Sequence, residues 1–586
     1  LPGFLTTLAT IWRLAVPYFR SEDRVAGRVL LASIVAMELG VVAINVMINQ
    51  WNARFYNALQ DRAWDAFVRE ISIFCLLAGV LIVVRVYQLY LNQWLQIRWR
   101  RFLTVRYLEG WLADSNHYRM QMLGDAADNP DQRIAEDVRQ FIDGGSNGVG
   151  LLPIGLGLLN SAVTLVSFFV ILWALSDAAQ LTLFGWMIPG FLFWAALIYA
   201  IAGTLLTHVI GRALTALNFN QQRYEADFRF NLVRARENSE QIALLHGETA
   251  ERGRLIDRFS TLATNWLRIM IRTKYLSFFT VSYSQVSIIF PYVVVAPAYF
   301  ASTIQLGGLM QTASAFSSVQ DALSFFVSVY RQFAEWRAVI ERLAGFEASI
   351  QSAQTVASGA QAISVAPGAE NIQLDRLDVT LPSGKPVVAA DGVTIARHEQ
   401  VLVSGPSGSG KSTLFRAIAG IWPFGSGKIT VPADATIMTL PQRPYLPIGS
   451  LAAAISYPAV GGSHDAAQLR GLLNAVGLPA LADRLDEEAH WSRMLSLGEQ
   501  QRIGIARAIL YAPDFLLLDE ATASLDEPSE AALYQLLHER LPAATIVSIG
   551  HRSTLAAFHK RRLTFTREGD HYRVKDASLA AVTDPR

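Results

Sequence analysis

Six stretches of this chain, roughly 26–49, 70–95, 149–174, 181–205, 276–302 and 314–338, are long and predominantly apolar. A helix needs about 20 mostly apolar residues to cross the hydrocarbon core of a bilayer, and each stretch reaches that length. The first and the last two contain polar residues. The even number returns the chain to the side on which it began. The apolar excess, 52% hydrophobic against 17% charged residues, lies mainly in the first 340 of 586 positions. The last 220 read as a soluble α/β domain, so at least two domains are expected. A single cysteine, Cys75, lies in an apolar run and leaves no intrachain disulfide to form. No cleavable signal is expected at the start, where residues 4–20 read as an amphipathic segment that would lie along the membrane interface.

The charged connections orient the spans. Arg98, Arg100, Arg101 and Arg106 follow the second span, and Arg212, Arg223, Arg229, Arg234 and Arg236 follow the fourth. Arg268, Arg272 and Lys274 precede the fifth. The turns at 175–180 and 303–313 contain no Lys or Arg. Arginine excess marks the cytoplasmic face, so both termini are expected there. The connections 97–148 and 206–275 are long and helical in pattern, which suggests that their spans continue well beyond the membrane. Residues 346–371, rich in Ala, Ser, Gln and Gly, read as a linker. The expected division is a membrane domain over 1–345 and a soluble domain over 372–586.

Within the soluble part, the strand-like run VLV at 401–403 leads into Gly405, Pro406, Ser407, Gly408, Ser409, Gly410, Lys411, Ser412 and Thr413, and an apolar helix follows. This is the P-loop pattern in the context it requires. The glycines let backbone N–H groups approach phosphates, Lys411 would neutralise the β- and γ-phosphates of ATP, and Ser412 would ligate Mg²⁺. Downstream, the apolar run 515–518 ends in Asp519, placed to hold Mg²⁺, and Glu520, placed to polarise an attacking water.

Between these elements stands Leu495-Ser-Leu-Gly-Glu-Gln-Gln-Arg502, which resembles the LSGGQ signature of ABC ATPases. Gln442, the Ser524-Leu525-Asp526 run and His551 complete the set in the family's order. The resemblance implies an α-helical membrane domain of six helices with the exporter-type ABC fold, followed by an α/β P-loop ATPase domain. It implies a homodimer that sandwiches two ATP molecules. Each ATP would touch Gly405 to Thr413 of one chain and Ser496, Gly498, Glu499 and Gln500 of the other, with Asp526 at the same interface. Gln442 would sense Mg²⁺ and the membrane domain, and His551 would clamp the γ-phosphate. With Glu520, Lys411 and His551 all present, both sites of a homodimer would hydrolyse ATP. Leu497 stands where the family usually has Gly, and the place of the adenine-stacking aromatic, near Leu381, is aliphatic.

The segments at 108–120, 127–141 (ADNPDQRIAEDVRQF) and 234–255 resemble the SbmA/BacA group of bacterial peptide transporters, and also the eukaryotic ABCD half-transporters. That resemblance implies residence in a bacterial inner membrane and uptake of peptides, antimicrobial ones included, or of other bulky hydrophilic compounds such as cobalamin. Its alternatives are ABCD-like export of lipids or very-long-chain acyl compounds, and an ATP-gated channel or regulatory ABC protein. Membrane lipid is an expected partner and nucleic acid is not, since the spans exclude a soluble ABC ATPase. Asn129-Pro130-Asp131 reads as a turn that starts a docking helix, with Arg133, Glu136 and Asp137 either docking or merely solvating the loop. Glu38 and Arg85 fall inside spans, where each must find a partner or water. Trp51, Tyr56, Trp94 and Trp99 read as interfacial anchors.

Overall fold

The structure, a computed structural model, describes residues 2–577 except 125–128, 146–148, 179–181, 184–185, 188, 360–361, 369 and 460–461. Parts of several expected features therefore lie outside the described residues: 127–128 of the docking turn, 179–180 of an outer turn, the first residues of the fourth span, 360–361 and 369 of the linker, and 578–586 of the soluble domain. The side chains of 326–335, in the sixth span, lie outside them too. The described chain divides into two compact units. One runs to Tyr107 and resumes over Pro130–Ala344; the other comprises Leu108–Asn129 and the chain from Gly345.

In hydrocarbon a backbone amide has no partner except within its own helix, and the first unit is accordingly built of helices. They are Arg24–Gln60, Trp64–Leu112 as far as Tyr107, Leu151–Ala178, Phe191–Glu237 and Glu248–Phe300, followed by most of Leu306–Ser358. Among the described residues, all but the last are long and apolar enough to cross a membrane. Leu306–Ser358 is continuous through the expected sixth span but richer in hydroxyl and amide side chains. Helices of 47 to 53 residues run about 70–80 Å at 1.5 Å per residue, more than twice the hydrocarbon thickness. The spans therefore continue as helices into water, as the patterned connections suggested.

Polar groups at membrane depth are tied between helices. Glu38 is buried, accepts hydrogen bonds from Gln88 and Asn160, and lies 3.8 Å from Arg85. The pairing alternative for Glu38 and Arg85 is thus the one the structure contains. Gln60 and Asn57 of the first long helix accept from the backbone N–H groups of Leu306 (2.7 Å) and Gly307 (2.8 Å), which caps the last helix. A Cβ at Gly307 would lie 2.0 Å from the Ala53 carbonyl, so only glycine permits that approach. Trp99 is not an interfacial anchor. It is buried, stacked on Tyr18 at 5.5 Å and set edge-on to Phe141.

Nor do Arg133 and Asp137 solvate a loop. Arg133 donates to Asp137 at 2.6 Å, and Arg342 reaches the same carboxylate with two bonds of 2.9 and 2.6 Å. Both Arg133 and Asp137 are buried, while Glu136 stays exposed and accepts from Gln132.

The second unit is an eleven-stranded mixed sheet with helices. Its strands are β1 (Ser364–Gly368), β2 (Ile372–Thr380), β3 (Pro386–Ala390), β4 (Val393–Ile395), β5 (Gln400–Ser404), β6 (Gly425–Pro432), β7 (Ile437–Leu440), β8 (Phe515–Asp519), β9 (Thr545–Ile549), β10 (Arg561–Glu568) and β11 (His571–Ala577). The order is β1-β6-β2-β3-β11-β10-β5-β9-β8-β7, with β4 beside β2. The stretch expected as a linker is helical to Ser358 and then supplies β1, so it is part of the folded structure.

The helix Asn116–Leu123 also belongs to this unit. Asp114 and Ser115, both with positive φ, break the preceding helix, and the Asn116 amide bonds the Gly110 carbonyl at 2.9 Å. Met122 then packs against the hydrophobic cluster that includes Leu414, Phe415 and Trp422. The segment from Pro130, expected to start a docking helix, belongs to the first unit and carries the Arg133–Asp137 pair. Removing the Asp137 carboxylate would strand two guanidiniums, so Asp137→Ala is expected to cost about 3–5 kcal/mol, read as a fall in unfolding temperature of the purified protein.

Candidate functional site

Three neighbouring strands, β5, β9 and β8, end at the same level: Val403 pairs with Ile549, and Ile549 with Asp519. From these ends leave the P-loop, His551 and Glu520. The P-loop precedes Glu520 and His551 by more than a hundred positions, and the parallel register brings all three to one edge.

Gly408 and Gly410 have φ of 75° and 90°, the left-handed region open to glycine. A Cβ at Gly410 would also come within 2.4 Å of Val388 and 2.6 Å of Val387. The loop can therefore fold back only with glycine there, which aims its amides and the start of the helix Lys411–Ile418 at one point. Lys411 is 6% exposed, and its Nζ donates to the carbonyls of Gly405 and Pro406, each at 2.9 Å. Burial pulls its ammonium below the ordinary value, against the Glu520 and Asp519 carboxylates.

Ser412 Oγ donates to Asp519 Oδ1 at 2.8 Å. Burial pushes the Asp519 carboxyl up, and the Ser412 bond partly opposes this. A hydroxyl and a carboxylate so placed are the hard oxygen donors that Mg²⁺ takes, and the glycine cradle fits a triphosphate, so these residues fit Mg²⁺ and ATP. Leu381 sits exposed on a tight turn closed by its N–H to the Lys385 carbonyl at 2.8 Å.

Glu520 holds a φ of 53°, an unfavourable value for a residue with a side chain, and its carboxylate lies 3.3 Å from His551 Nε2. Its N–H bonds the Ile549 carbonyl at 3.2 Å. The surrounding loop is pinned by Thr522 to Glu530 at 2.6 Å and by Arg552, which reaches both Glu530 and the Ala523 carbonyl. Strain at a would-be base, held by its neighbours, is the pattern expected of a reactive position. Asp526 begins the helix Glu527–Arg540, and hydrogen bonding from Ser529 holds its carboxyl below the usual range.

The signature residues form a separate group at the start of the helix Leu497–Tyr511. Ser496 and Glu499 make a reciprocal capping box, which fixes the helix end and leaves Ser496 exposed. A Cβ at Gly498 would meet Leu525 at 3.2 Å. Gln500 does not face outward. It is buried, and its amide donates to the carbonyls of Ser492 (2.9 Å) and Leu495 (2.8 Å). Among the described residues, no hydrogen bond joins this group to the P-loop of its own chain.

Two residues absent from the sequence-based set connect the rest. Gln501 donates to the Gln442 carbonyl at 2.9 Å and accepts from the Ser524 N–H at 3.0 Å. Arg507, two turns along the same helix, donates to the carbonyls of Tyr445 (2.6 Å) and Ala454 (2.9 Å), and burial lowers its guanidinium to about 10. Gly504 between them leaves room for Pro444. One helix face thus holds the 442–445 loop. The spacing of Gln501, Gly504 and Arg507 is the signal for it, but a helical stripe reads as ordinary core until its partner is known.

Comparison with known proteins gives the same picture over nearly the whole chain. Residues 14–300 match the family described as ABC transporter transmembrane region 2, and 390–523 match the ABC transporter family. The inner membrane ABC transporter ATP-binding protein YddA of Escherichia coli (strain K12) is 34% identical, over 92% of this chain and 94% of that protein. ABC transporter D family member 2, chloroplastic, of Arabidopsis thaliana is 33% identical, over 96% and 87%. A bacterial Atm1-family ABC exporter solved with ATP bound superposes with a TM-score of 0.67 at 18% identity, covering 94% of this chain and 95% of that one.

Glu520→Gln is expected to lower phosphate release from ATP by about 100-fold or more, the scale of general-base loss, while nucleotide binding persists. Arg507→Leu leaves two carbonyls unpaired and is expected to destabilise the second unit by about 1–3 kcal/mol, read by thermal unfolding.

Proposed function

The chain belongs to the ABC transporters, in the D family, and from that premise we infer a homodimeric importer of cationic peptides or other bulky hydrophilic compounds in a bacterial inner membrane. Transport is driven by ATP hydrolysis. In this reading the glycine-rich loop and Lys411 hold the phosphates of ATP, and Ser412 and Asp519 hold Mg²⁺, which supplies neutralising charge. Glu520 takes the proton of the attacking water as its oxygen bonds the γ-phosphorus. The bond from the γ-phosphorus to the bridging oxygen breaks, ADP leaves with that electron pair, and His551 steadies the γ-phosphate. Ser496, Gly498 and Glu499 complete the site from a second copy, as the resemblance to ABC ATPases implies. The ATPase unit and both termini lie on the cytoplasmic side, following the arginine excess of the long connections.

The observation that carries the cargo reading lies on the helix Leu306–Ser358. Ser317, Asp321 and Ser324 are exposed and spaced to share one face. A carboxylate exposed to hydrocarbon is costly, so this stripe faces water or a second copy. Residues 275–330 contain no Lys or Arg, and Asp321 is their single acidic residue. A pathway so lined suits cationic and hydroxyl-bearing cargo, as the likeness to the SbmA/BacA group suggested, and gives no counter-charge to acyl phosphates or acyl carboxylates. Glu38, buried among its partners, is not available to cargo.

The test uses the protein in lipid nanodiscs and follows ATP turnover while a cationic proline-rich peptide is added. Stimulation by the peptide, with a half-maximal concentration raised roughly tenfold in Asp321→Asn, is expected for one lost charge contact. Stimulation by long-chain acyl compounds and none by the peptide would establish the lipid reading instead.

A further inference from the structure

Glu520 and His551 follow the neighbouring strands β8 and β9, and their side chains are 31% and 52% exposed. Side chains so open are not fixed by packing. The 3.3 Å between them must be set by the two loops that carry them.

Both loops meet at one carboxylate. Glu530, at the start of the helix Glu527–Arg540, is 2% exposed. Its Oε1 accepts from Thr522 Oγ1 at 2.6 Å, and Thr522 lies two residues past Glu520. Its Oε2 accepts from Arg552 Nη1 at 3.5 Å, and Arg552 directly follows His551. The same guanidinium reaches back to the first loop through Nη2, which donates to the Ala523 carbonyl at 3.3 Å. The Ala523 N–H in turn closes on the Glu520 carbonyl at 3.1 Å. A closed ring of bonds therefore joins the loop of Glu520 to the loop of His551, with Glu530 at its buried end.

We propose that Glu530 is a positioning residue for ATP hydrolysis, whose carboxylate sets the separation of Glu520 and His551. The proposal rests on the roles given above to those two residues. Glu530 is buried, so it acts through Thr522 and Arg552 and not on the nucleotide. Both neighbours are donors, so both of its oxygens must accept, which a carboxylate does and an amide cannot. The P-loop is held by other bonds, from Lys411 to the Gly405 and Pro406 carbonyls and from Ser412 to Asp519. Among the described residues, no hydrogen bond joins it to Glu530, Thr522 or Arg552. Loss of the Glu530 carboxylate therefore slows hydrolysis and leaves nucleotide affinity in place.

The test measures ATP turnover against ATP concentration for the full chain in lipid nanodiscs, with unfolding temperature followed alongside. Glu530→Gln keeps the shape of the side chain but turns one acceptor into a donor. It is expected to lower kcat roughly tenfold or more, the scale of a misplaced reacting group, with KM for ATP held within about twofold. If it acts through Glu520, it should lower kcat no further in a chain that already carries Glu520→Gln. Unchanged kcat, a rise in KM in place of a fall in kcat, or the same fractional loss in the Glu520→Gln background would overturn the proposal. Thr522→Val removes one hydroxyl at constant shape, and it decides the matter should Glu530→Gln fail to fold. A lower kcat at constant KM is expected there, and an unchanged kcat would contradict the proposal. Full hydrolysis by Glu520→Gln alone would overturn the assignment of the base, and the proposal with it. Loss in Glu520→Gln without loss in Glu530→Gln would overturn the proposal alone.

Discussion

The rest of the structure depends on the absence of water from a bilayer. Backbone amides there are satisfied only within helices, and these helices do not stop at the membrane surface. They run on for roughly the same distance again, so polar lengths of the membrane-spanning elements become scaffolding in water. One such length breaks at Asp114 and Ser115 and leaves the short helix Asn116–Leu123 in the unit of the ATPase, with Met122 against its core. Another is held by Asp137, whose carboxylate joins Arg133 to Arg342 across more than two hundred residues.

The same logic of enforced partners governs the ATP site. A parallel register brings the P-loop, Glu520 and His551 to one edge, and glycine at 408 and 410 lets the loop close. Glu520 is held in an unfavourable backbone conformation by bonds from its surroundings, while Gln501 and Arg507 tie the signature helix to the loop that follows Gln442. Movement of the signature helix therefore reaches that loop directly. Among the described residues the P-loop and the signature helix are each held by their own bonds, and in the proposed function a second copy brings them together.

Much of this was legible in the residues. The six ATPase elements are short motifs whose chemistry dictates residue type, so they could be read without a fold. Span positions followed from length and hydropathy. What could not be read were partnerships. Arg133 and Asp137 looked like loop charges because their third member, Arg342, is distant in sequence. Trp99 looked like an interfacial ring because a buried tryptophan and a belt tryptophan have the same neighbours in sequence. Residues 346–371 looked like a linker because low hydrophobicity does not distinguish a solvated helix and an edge strand from coil. Gln500 and Gln501 stand side by side, and only the helix phase shows that one turns to its own backbone and the other to the Gln442 loop.

Direction and cargo are the centre of the account, and one measurement meets both. The protein is reconstituted in liposomes loaded with a labelled cationic proline-rich peptide, and ATP is supplied only outside, which energises the molecules whose ATPase units face outward. The account predicts ATP-dependent loss of peptide from the lumen, toward the ATPase face, and no such loss with Glu520→Gln. Accumulation of externally added peptide in the lumen, or no movement of peptide under ATP, would contradict it.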